Sequence, residues 1–380
     1  MTARNPPWWQ LRRTELLRIG SDHACAFVYA GDEVRSAARR LRSLKSVSRV
    51  FYATKANPNP GILRIIAAEG LDFECVSRGE IERVLGTLPG LPHERVLYTP
   101  NFAPREEYAW AFEQGVTVTI DNLYVLQHWA QTFEGRAVLV RVDTGTGRGH
   151  HQHVRTAGEY AKFGIPLDDL GEVARLAAAA RCQIVGLHAH SGSGIFEIGN
   201  WAETAALLLA EAGRFPQLRW LNIGGGLGVP ERTEQAELDL MQMDAGLAAV
   251  RGRAASLEFW LEPGRYLVAA AGVLLARVTQ TKSKGDTRYV GVSTGMNSLI
   301  RPALYGSWHE IVNLTRLDEP ASERVNVVGP ICESGDVLGL DRLLPPTQED
   351  DVLLFANVGA YGRSMSSNYN LREPAIELII

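Results

Sequence analysis

Short apolar segments alternate with helix-like segments between residues 50 and 265, and this alternation limits the fold more than any other feature of the chain. The predicted strands are residues 50–54, 71–76, 95–99, 116–120, 137–142, 183–188, 218–223 and 257–261. Segments between them, such as residues 60–69, carry apolar residues at i, i+3 and i+4 and are predicted crossover helices. Eight such units over about 220 residues match a closed (β/α)8 TIM-type barrel with a parallel sheet. An open doubly wound sheet is the alternative.

The sequence changes character after Arg265. Segments rich in Val, Leu, Arg and Thr, separated by polar turns, occur at residues 273–282, 288–292, 325–328 and 352–356. They predict a second, C-terminal β-rich domain, which residues 26–29 could complete. We therefore expect an N-terminal extension over residues 1–25, the barrel over residues 26–270 and the β-rich domain over residues 271–380.

Composition excludes several classes of protein. The 380 residues are 46% hydrophobic and 22% charged, and the net charge of -4 gives no basic surface for nucleic acid. The arginines of residues 35–49 are predicted to form the exposed face of one amphipathic helix. Without a membrane-spanning run or the apolar core of a signal peptide, the protein is predicted to be cytoplasmic. Four widely spaced cysteines (Cys25, Cys75, Cys182, Cys332) indicate reduced thiols rather than disulfides or zinc ligands.

Polar residues follow nearly every predicted strand, and this placement favours the barrel, whose active sites lie at the C-terminal rim. These residues are Lys55, Ser77, Asn101, Asp121, Asp143, His190, residues 224–226 and residues 262–265. A lysine at the mouth of a buried strand is desolvated, which lowers its pKa and makes it a candidate nucleophile toward an aldehyde cofactor. The alternative for Lys55 is an ordinary solvated surface lysine.

The loops after the sixth, seventh and eighth predicted strands suit a phosphorylated ligand. His190 and Ser193 lie in a glycine-containing turn, and the Gly224–Gly226 run lets backbone N–H groups approach phosphate oxygens. Glu262 and Arg265 add opposite charges to the same rim, unless they only pair with other side chains. Residues 145–153 hold three histidines without a carboxylate or thiolate at ligand spacing, so we expect a mobile loop and candidate lid there, and no metal site.

Nine segments, taken together and in order, resemble the fold-type III pyridoxal-phosphate amino-acid decarboxylases, and among them most closely the diaminopimelate decarboxylase family. The segments are residues 52–57, 74–77, 162–164, 190–194, 224–226, 262–265, 301–306, 332–336 and 359–362. The resemblance covers nearly the whole chain. It implies a pyridoxal 5'-phosphate cofactor bound covalently by Lys55, with His190 stacked on its ring, Glu74 near the ring and Glu262 keeping the pyridine nitrogen protonated. The implied phosphate-binding group is Ser193, Gly225, Gly226, Gly264, Arg265 and Tyr361.

The resemblance also implies the substrate-binding side of the site. Arg301 and Tyr305, with contributions from Arg265 and Tyr361, would bind a substrate carboxylate. Cys332 and Glu333 would reach across a homodimer interface, the cysteine as a proton donor and the glutamate as a contact for the distal amine. The implied reaction converts meso-2,6-diaminopimelate to L-lysine and CO2, the last step of lysine biosynthesis. Some relatives are fused to an aspartate kinase domain, so this chain is a candidate for one part of such a fusion.

Three positions depart from the family pattern. Ser293 stands where an acidic residue is common, Ser191 where many members have an apolar residue, and Gly194 where many have glutamine. Ornithine-type enzymes share Gly194 but lack the Arg301–Pro302 pair, and ornithine has no second carboxylate for an arginine to bind. The alternatives are a decarboxylase of ornithine, arginine or carboxynorspermidine, a non-catalytic regulatory homologue, and a racemase.

Overall fold

The computed structural model describes residues 6–145, 148–149, 161–232 and 234–380, with backbone only at residues 148–149. The chain divides into two compact units. The barrel unit comprises Arg35–Val229 and Glu237–Leu267, and the β unit comprises the described residues of Met1–Val34, Pro230–Ala236 and Val268–Ile380. Residues 26–34 group with the β unit, and the expected domain bounds stay a prediction.

The barrel unit contains a closed parallel sheet of eight strands. In chain order they are Arg49–Ala53, Asp72–Cys75, Val96–Tyr98, Thr117–Ile120, Ala137–Asp143, Gln183–His188, Trp220–Asn222 and Glu258–Leu261. Each strand pairs with the next, and the eighth pairs with the first, so the sheet has no break between first and last strand. A short strand, Ile165–Pro166, adds to the fifth. The predicted TIM-type barrel is confirmed, and the open doubly wound sheet is excluded.

Helices connect the barrel strands. They are Pro60–Ala68, Arg78–Thr87, Arg105–Gln114, Tyr124–His128, Ala130–Phe133, Leu170–Ala179, Asn200–Glu211 and Leu240–Arg251, with 3₁₀ turns at Thr54–Ala56, His93–Arg95, Leu167–Asp169 and Ala212–Arg214. Helix Arg265–Val268 follows the eighth strand. The helix before the first strand, Gly31–Arg42, buries Val34, Ala38 and Leu41 and exposes its late arginines. It ends at Arg42, so the arginines of residues 35–49 do not form one helix.

The barrel interior has an apolar layer beneath a polar one. Phe51, Leu97, Leu139 and Trp260 are fully buried together, with the Phe51 and Trp260 ring centroids 5.0 Å apart. Side chains two residues apart on a strand share a face. Three of the four next positions toward the carboxyl ends are polar or charged, namely Thr99, Arg141 and Glu262. The fourth is Ala53. This polar layer supports the rim.

The β unit is built on an eight-stranded mixed sheet. Its main path runs Ile311–Asn313, Val352–Phe355, Gly272–Lys284, Thr287–Val292, Glu323–Val328, Val337–Leu344. Cys25–Tyr29 pairs antiparallel with Gly272–Lys284 and parallel with Ile376–Ile379. The expected β-rich region and its completion by residues 26–29 are thus confirmed. Helix Trp8–Leu11 packs Trp9 onto this sheet, and helix Arg13–Asp22 packs Leu16 and Ile19. Short helical turns occur at Arg301–Tyr305, Arg363–Met365 and Tyr369–Leu371.

Three features of the described residues bear on function. No helix among them is long and apolar enough to cross a membrane. Within the same part of the chain, no group of three or more His, Cys, Asp or Glu side chains is arranged to hold a metal ion. All four cysteines are free, and Cys332 is exposed.

Candidate active site

Lys55 lies directly after the first barrel strand, in the turn Thr54–Ala56. Its Nζ donates a hydrogen bond to Glu74 Oε2 at 2.8 Å, and Thr99 Oγ1 donates to Glu74 Oε1. The Glu74 side chain is 1% exposed, whereas that of Lys55 is 43% exposed. The amine therefore lies in an ion pair with part of its surface open, rather than in the desolvated setting expected from the sequence.

Glu262 follows the eighth strand, and each of its carboxylate oxygens has a partner. Asn222 Nδ2 donates to Oε1 at 2.6 Å, and His188 Nε2 lies 3.2 Å from Oε2. Burial by itself raises the pKa of Glu262, but His188, the Lys55 charge and the Asn222 hydrogen bond outweigh it and hold that pKa below its usual range. Glu262 is therefore a buried carboxylate that stays ionised.

His190 lies in the turn after the sixth strand. The Gly225 N–H donates to His190 Nδ1 at 3.1 Å. Burial, reinforced by the charges of Arg141 and Lys55, lowers the pKa of His190 to about 3. The ring is neutral at physiological pH, and because Nδ1 accepts a hydrogen bond, its proton is on Nε2. A neutral imidazole held this way is suited to pack against a planar ring.

Arg265 and Ser193 lie on one side of the candidate anion-binding turn. Arg265 Nη2 donates to Ser193 Oγ at 2.9 Å. Gly226 has φ +87°, and a Cβ there would lie 2.4 Å from the Gly192 carbonyl oxygen. Only glycine fits this position, which leaves its backbone open to a ligand beside a guanidinium and a hydroxyl.

Gly225 is strongly constrained by close neighbours, and Gly264 less so. A Cβ on Gly225 would lie 2.0 Å from the Glu262 carbonyl oxygen, and one on Gly264 would lie 3.1 Å from the Cβ atoms of Ala53 and Ala56. Trp201 Nε1 donates to the Gly225 carbonyl at 2.9 Å. The glycine turn is therefore seated on the same loop that carries Glu262.

Asp121 organises the far side of the rim. Its Oδ1 accepts from the Gly164 N–H at 3.0 Å, its Oδ2 accepts from Asn101 Nδ2, and Arg141 Nε lies 3.8 Å from Oδ1. Burial raises the pKa of Asp121, although Arg141 and these hydrogen bonds oppose the rise. Arg141 also stacks over the Phe163 ring at 4.4 Å. This network anchors residues 162–164, one of the nine segments.

Other strand-end residues have structural roles. Ser77 caps helix Arg78–Thr87 by accepting from the Glu80 N–H, and Asp143 accepts from the Gly145 N–H. Ser191 Oγ donates to Asn200 Oδ1 at 2.9 Å. Gly194 has φ +73°, a conformation that favours glycine. Residues 146–147 and 150–153 of the candidate lid, which include the three histidines, lie outside the described residues.

The substrate-binding candidates Arg301 and Tyr305 lie in the β unit. Arg301 is 3% exposed; its Nη1 lies 3.1 Å from His309 Nε2 and its Nη2 lies 3.7 Å from Glu231 Oε1. His309 Nδ1 donates to the Ala356 carbonyl at 2.9 Å, so Nε2 is the accepting nitrogen. Arg301 is thus a buried cation held in place, and Tyr305 is half-buried one helical turn away.

Cys332 and Glu333 lie in an exposed turn of the β unit that is fixed at its base. The Cys332 N–H donates to Asn370 Oδ1 at 2.6 Å. Asp336, which is buried, accepts from the Ile331 N–H at 2.7 Å and from the Met296 N–H at 2.6 Å. The turn is therefore anchored on both sides of the cysteine.

Two further residues that the sequence analysis singled out, Tyr361 and Ser293, also lie in the β unit. Tyr361 is half-buried with φ +58°. Ser293 Oγ donates to the Ala24 carbonyl at 2.5 Å and accepts from the Arg277 N–H at 3.1 Å, so the hydroxyl at this departure from the family pattern binds backbone groups.

Sequence reasoning missed several residues of these networks: Arg141, His188, Asn222, His309, Asp336 and Asn370. His188 had one available signal, since it lies two residues before His190 and faces the same side of the chain. Arg141 had another, since it is a charged residue within an apolar strand. No local signal marks His309, because its role depends on contact with Arg301.

The rim of the barrel unit fits a phosphorylated aldehyde with an aromatic ring. It supplies an amine on Lys55, an ionised buried carboxylate on Glu262, a neutral imidazole on His190 and a glycine turn beside Arg265. A side chain at Gly225 or Gly226 would fill the turn, which explains why both positions lack a Cβ. This donor set, on a (β/α)8 barrel, defines an enzyme that binds pyridoxal phosphate.

Comparison with known proteins agrees with an enzyme that binds pyridoxal phosphate. Residues 32–269 match the family model described as the pyridoxal binding domain of pyridoxal-dependent decarboxylases. The chain therefore belongs to the pyridoxal-dependent decarboxylases, which are carboxy-lyases that use pyridoxal 5'-phosphate.

Curated and solved relatives narrow the class. The diaminopimelate decarboxylase of Methanothermobacter thermautotrophicus is 37% identical over 373 residues, which cover 93% of this chain and 86% of that protein. A solved diaminopimelate decarboxylase structure has a TM-score of 0.88 at 32% identity, covering 97% of this chain and 91% of that one. The Helicobacter pylori enzyme, solved with L-lysine, has a TM-score of 0.87 at 28% identity, covering 96% and 93%. Within its class, the chain belongs to the diaminopimelate decarboxylase family.

Proposed function

We propose that this chain decarboxylates meso-2,6-diaminopimelate to L-lysine and CO2, the last step of lysine biosynthesis. The observation that carries the proposal is the 37% identity to a diaminopimelate decarboxylase over 93% of the chain. The buried Arg301 supports the proposal, because a substrate that keeps a second carboxylate needs a fixed cation to bind it. Ornithine has no second carboxylate and needs no such cation.

The barrel rim would hold the cofactor. Lys55 would hold the cofactor through its amine, which donates a hydrogen bond to Glu74 at 2.8 Å. His190 would contact the ring, and Glu262 would favour a protonated pyridine nitrogen. The phosphate-binding group is Ser193, Gly225, Gly226, Gly264, Arg265 and Tyr361.

Bound pyridoxal phosphate supplies an electron sink for the charge left when CO2 departs. The chain enhances this property through Glu262, because an ionised carboxylate favours the positively charged ring nitrogen. His190, which is neutral, adds no second positive charge beside the ring. The Lys55 amine, which would hold the cofactor, would also be placed to move a proton at the reacting carbon.

The β unit would supply the substrate contacts. Arg301 and Tyr305 bind the retained carboxylate, with Arg265 and Tyr361 contributing. Glu333 binds the distal amine, and Cys332 donates the proton that replaces CO2. The anchoring of the Cys332 turn by Asn370 and Asp336 suits a group that must hold a proton at a fixed place.

The proposed assembly is a cytoplasmic homodimer in which Cys332 and Glu333 complete the partner's site. Mixing two inactive variants, Lys55→Ala and Cys332→Ala, tests this arrangement. Shared sites predict recovery of up to about one quarter of wild-type activity, because random pairing leaves one intact site per mixed dimer. No recovery after subunit exchange would exclude shared sites. Fusion to an aspartate kinase domain stays a prediction.

Substrate comparison tests the function. We expect CO2 release by the cofactor-loaded protein with meso-diaminopimelate at a kcat/KM at least 100-fold above those for ornithine, arginine and lysine. Arg301→Gln, which keeps the size but not the charge, should narrow this preference by raising KM for diaminopimelate. A preference for ornithine or arginine would reassign the pocket, and no release from any substrate would indicate a non-catalytic homologue.

A further inference from the structure

His188 is a buried histidine that the proposed mechanism does not use. It ends the sixth barrel strand, is 2% exposed, and its Nδ1 has no hydrogen-bond partner among the described residues. Burying a polar ring without such a partner costs stability. A purely space-filling role would be served better by an apolar side chain, so the imidazole needs another explanation.

The nearest charged atom offers one. His188 Nε2 lies 3.2 Å from Glu262 Oε2, an ion-pair distance between two buried groups. The opposite carboxylate oxygen, Oε1, accepts from Asn222 Nδ2 at 2.6 Å, and Asn222 Oδ1 in turn accepts from the Gly224 N–H at 3.0 Å. The Glu262 carboxylate is thus contacted by side chains from the sixth and seventh strands.

Strand register keeps these partners together. The Cα atom of His188 is directly opposite that of Asn222 on the seventh strand and that of Arg141 on the fifth. All three belong to the polar layer above the apolar floor of the barrel. The described part of this layer contains the acidic side chains of Glu74, Asp121 and Glu262. Besides His188, it contains the basic side chains of Arg141 and Lys55.

We propose that His188 is a positioning residue that orients Glu262 and maintains its negative charge toward the cofactor ring. The inference rests on the proposed role of Glu262 and extends it. His188 touches neither cofactor nor substrate in this scheme, and its effect passes only through the carboxylate. A loss of His188 should therefore matter only while residue 262 is a glutamate.

A double-mutant cycle tests this dependence. The variants are His188→Asn, Glu262→Gln and their combination, with His188→Gln as a second replacement if the asparagine variant folds poorly. His128→Gln is the matched control, because His128 is an exposed histidine of the same unit. Circular dichroism and thermal unfolding of the cofactor-free proteins check the fold. The readouts are the Kd for pyridoxal phosphate and the visible absorption band of the bound cofactor.

We expect His188→Asn and Glu262→Gln each to weaken cofactor binding about tenfold and to shift the visible band, and the double variant to match Glu262→Gln alone. A His188 effect that persists undiminished with glutamine at 262, or no effect with glutamate there, overturns the inference while the role of Glu262 stands. An unchanged Kd and band in Glu262→Gln refutes the proposed role of Glu262, and this inference with it.

Discussion

Replacing Gly225 by alanine tests how closely the glycine turn at residues 224–226 packs against the loop that carries Glu262. The added Cβ would lie 2.0 Å from the Glu262 carbonyl oxygen, whereas real Cβ atoms essentially never come within 3.0 Å of another heavy atom. The two backbones must therefore separate by about 1 Å. Overpacking of this kind costs about 1–3 kcal/mol of stability.

The functional cost should be larger than the stability cost. A misplacement of about 1 Å between reacting groups lowers the rate by about 100-fold. We expect Gly225→Ala to reduce cofactor affinity and kcat together, measured by titration with pyridoxal phosphate and by CO2 release. Urea unfolding of the cofactor-free protein measures the stability change separately.

Gly86→Ala is the matched control. Gly86 lies in helix Arg78–Thr87, and a Cβ there has no heavy atom within 4 Å. The same substitution should stabilise this helix by about 0.5–1 kcal/mol and leave turnover unchanged. Wild-type cofactor affinity and turnover in Gly225→Ala would refute the close packing of the turn on the Glu262 loop.

Three other substitutions probe separate parts of the account. Lys55→Ala should abolish the visible band of the bound cofactor and all turnover; retention of both would remove Lys55 from the site. Cys332→Ala should leave that band intact but lower kcat by about 100-fold or more, the usual scale for a lost proton donor, and equal rates would exclude the thiol. Burial raises the pKa of Glu80 to about 7. Glu80 therefore binds a proton more tightly in the folded protein than in the unfolded chain. The stability that this proton binding adds is lost as pH rises from about 4.3 through 7. Glu80→Gln should therefore gain stability relative to wild type between pH 5 and pH 8 in urea unfolding, and parallel pH curves would contradict this.

The barrel was predictable because its strands are buried on both faces. Such strands are short continuous apolar runs, and all eight were visible in the sequence to within about two residues. Helix ends were harder. Helix Gly31–Arg42 stops where the Lys45 and Ser46 N–H groups bind the Asp244 carboxylate, a contact across about 200 residues that no local pattern reveals.

Strand-end residues were predictable as a group but not in their individual roles. Ser77 was expected among the functional residues of the rim, but it caps a helix. The spacing of Ser77 and Glu80, which is that of a capping box, was a local signal for this role. The partners of Glu262 were not predictable, because Asn222 and His188 reach it only through the strand register of the closed barrel. Contacts of this kind depend on folding rather than on sequence spacing.

The most direct test of the account is the identity of the product. Cofactor-loaded protein incubated with meso-2,6-diaminopimelate should release CO2 and L-lysine in equal amounts, measured by gas analysis and by chiral chromatography with mass spectrometry. Equal amounts of the two products are the predicted result. Intact diaminopimelate without CO2 release, or its racemisation in place of decarboxylation, would contradict the proposed function.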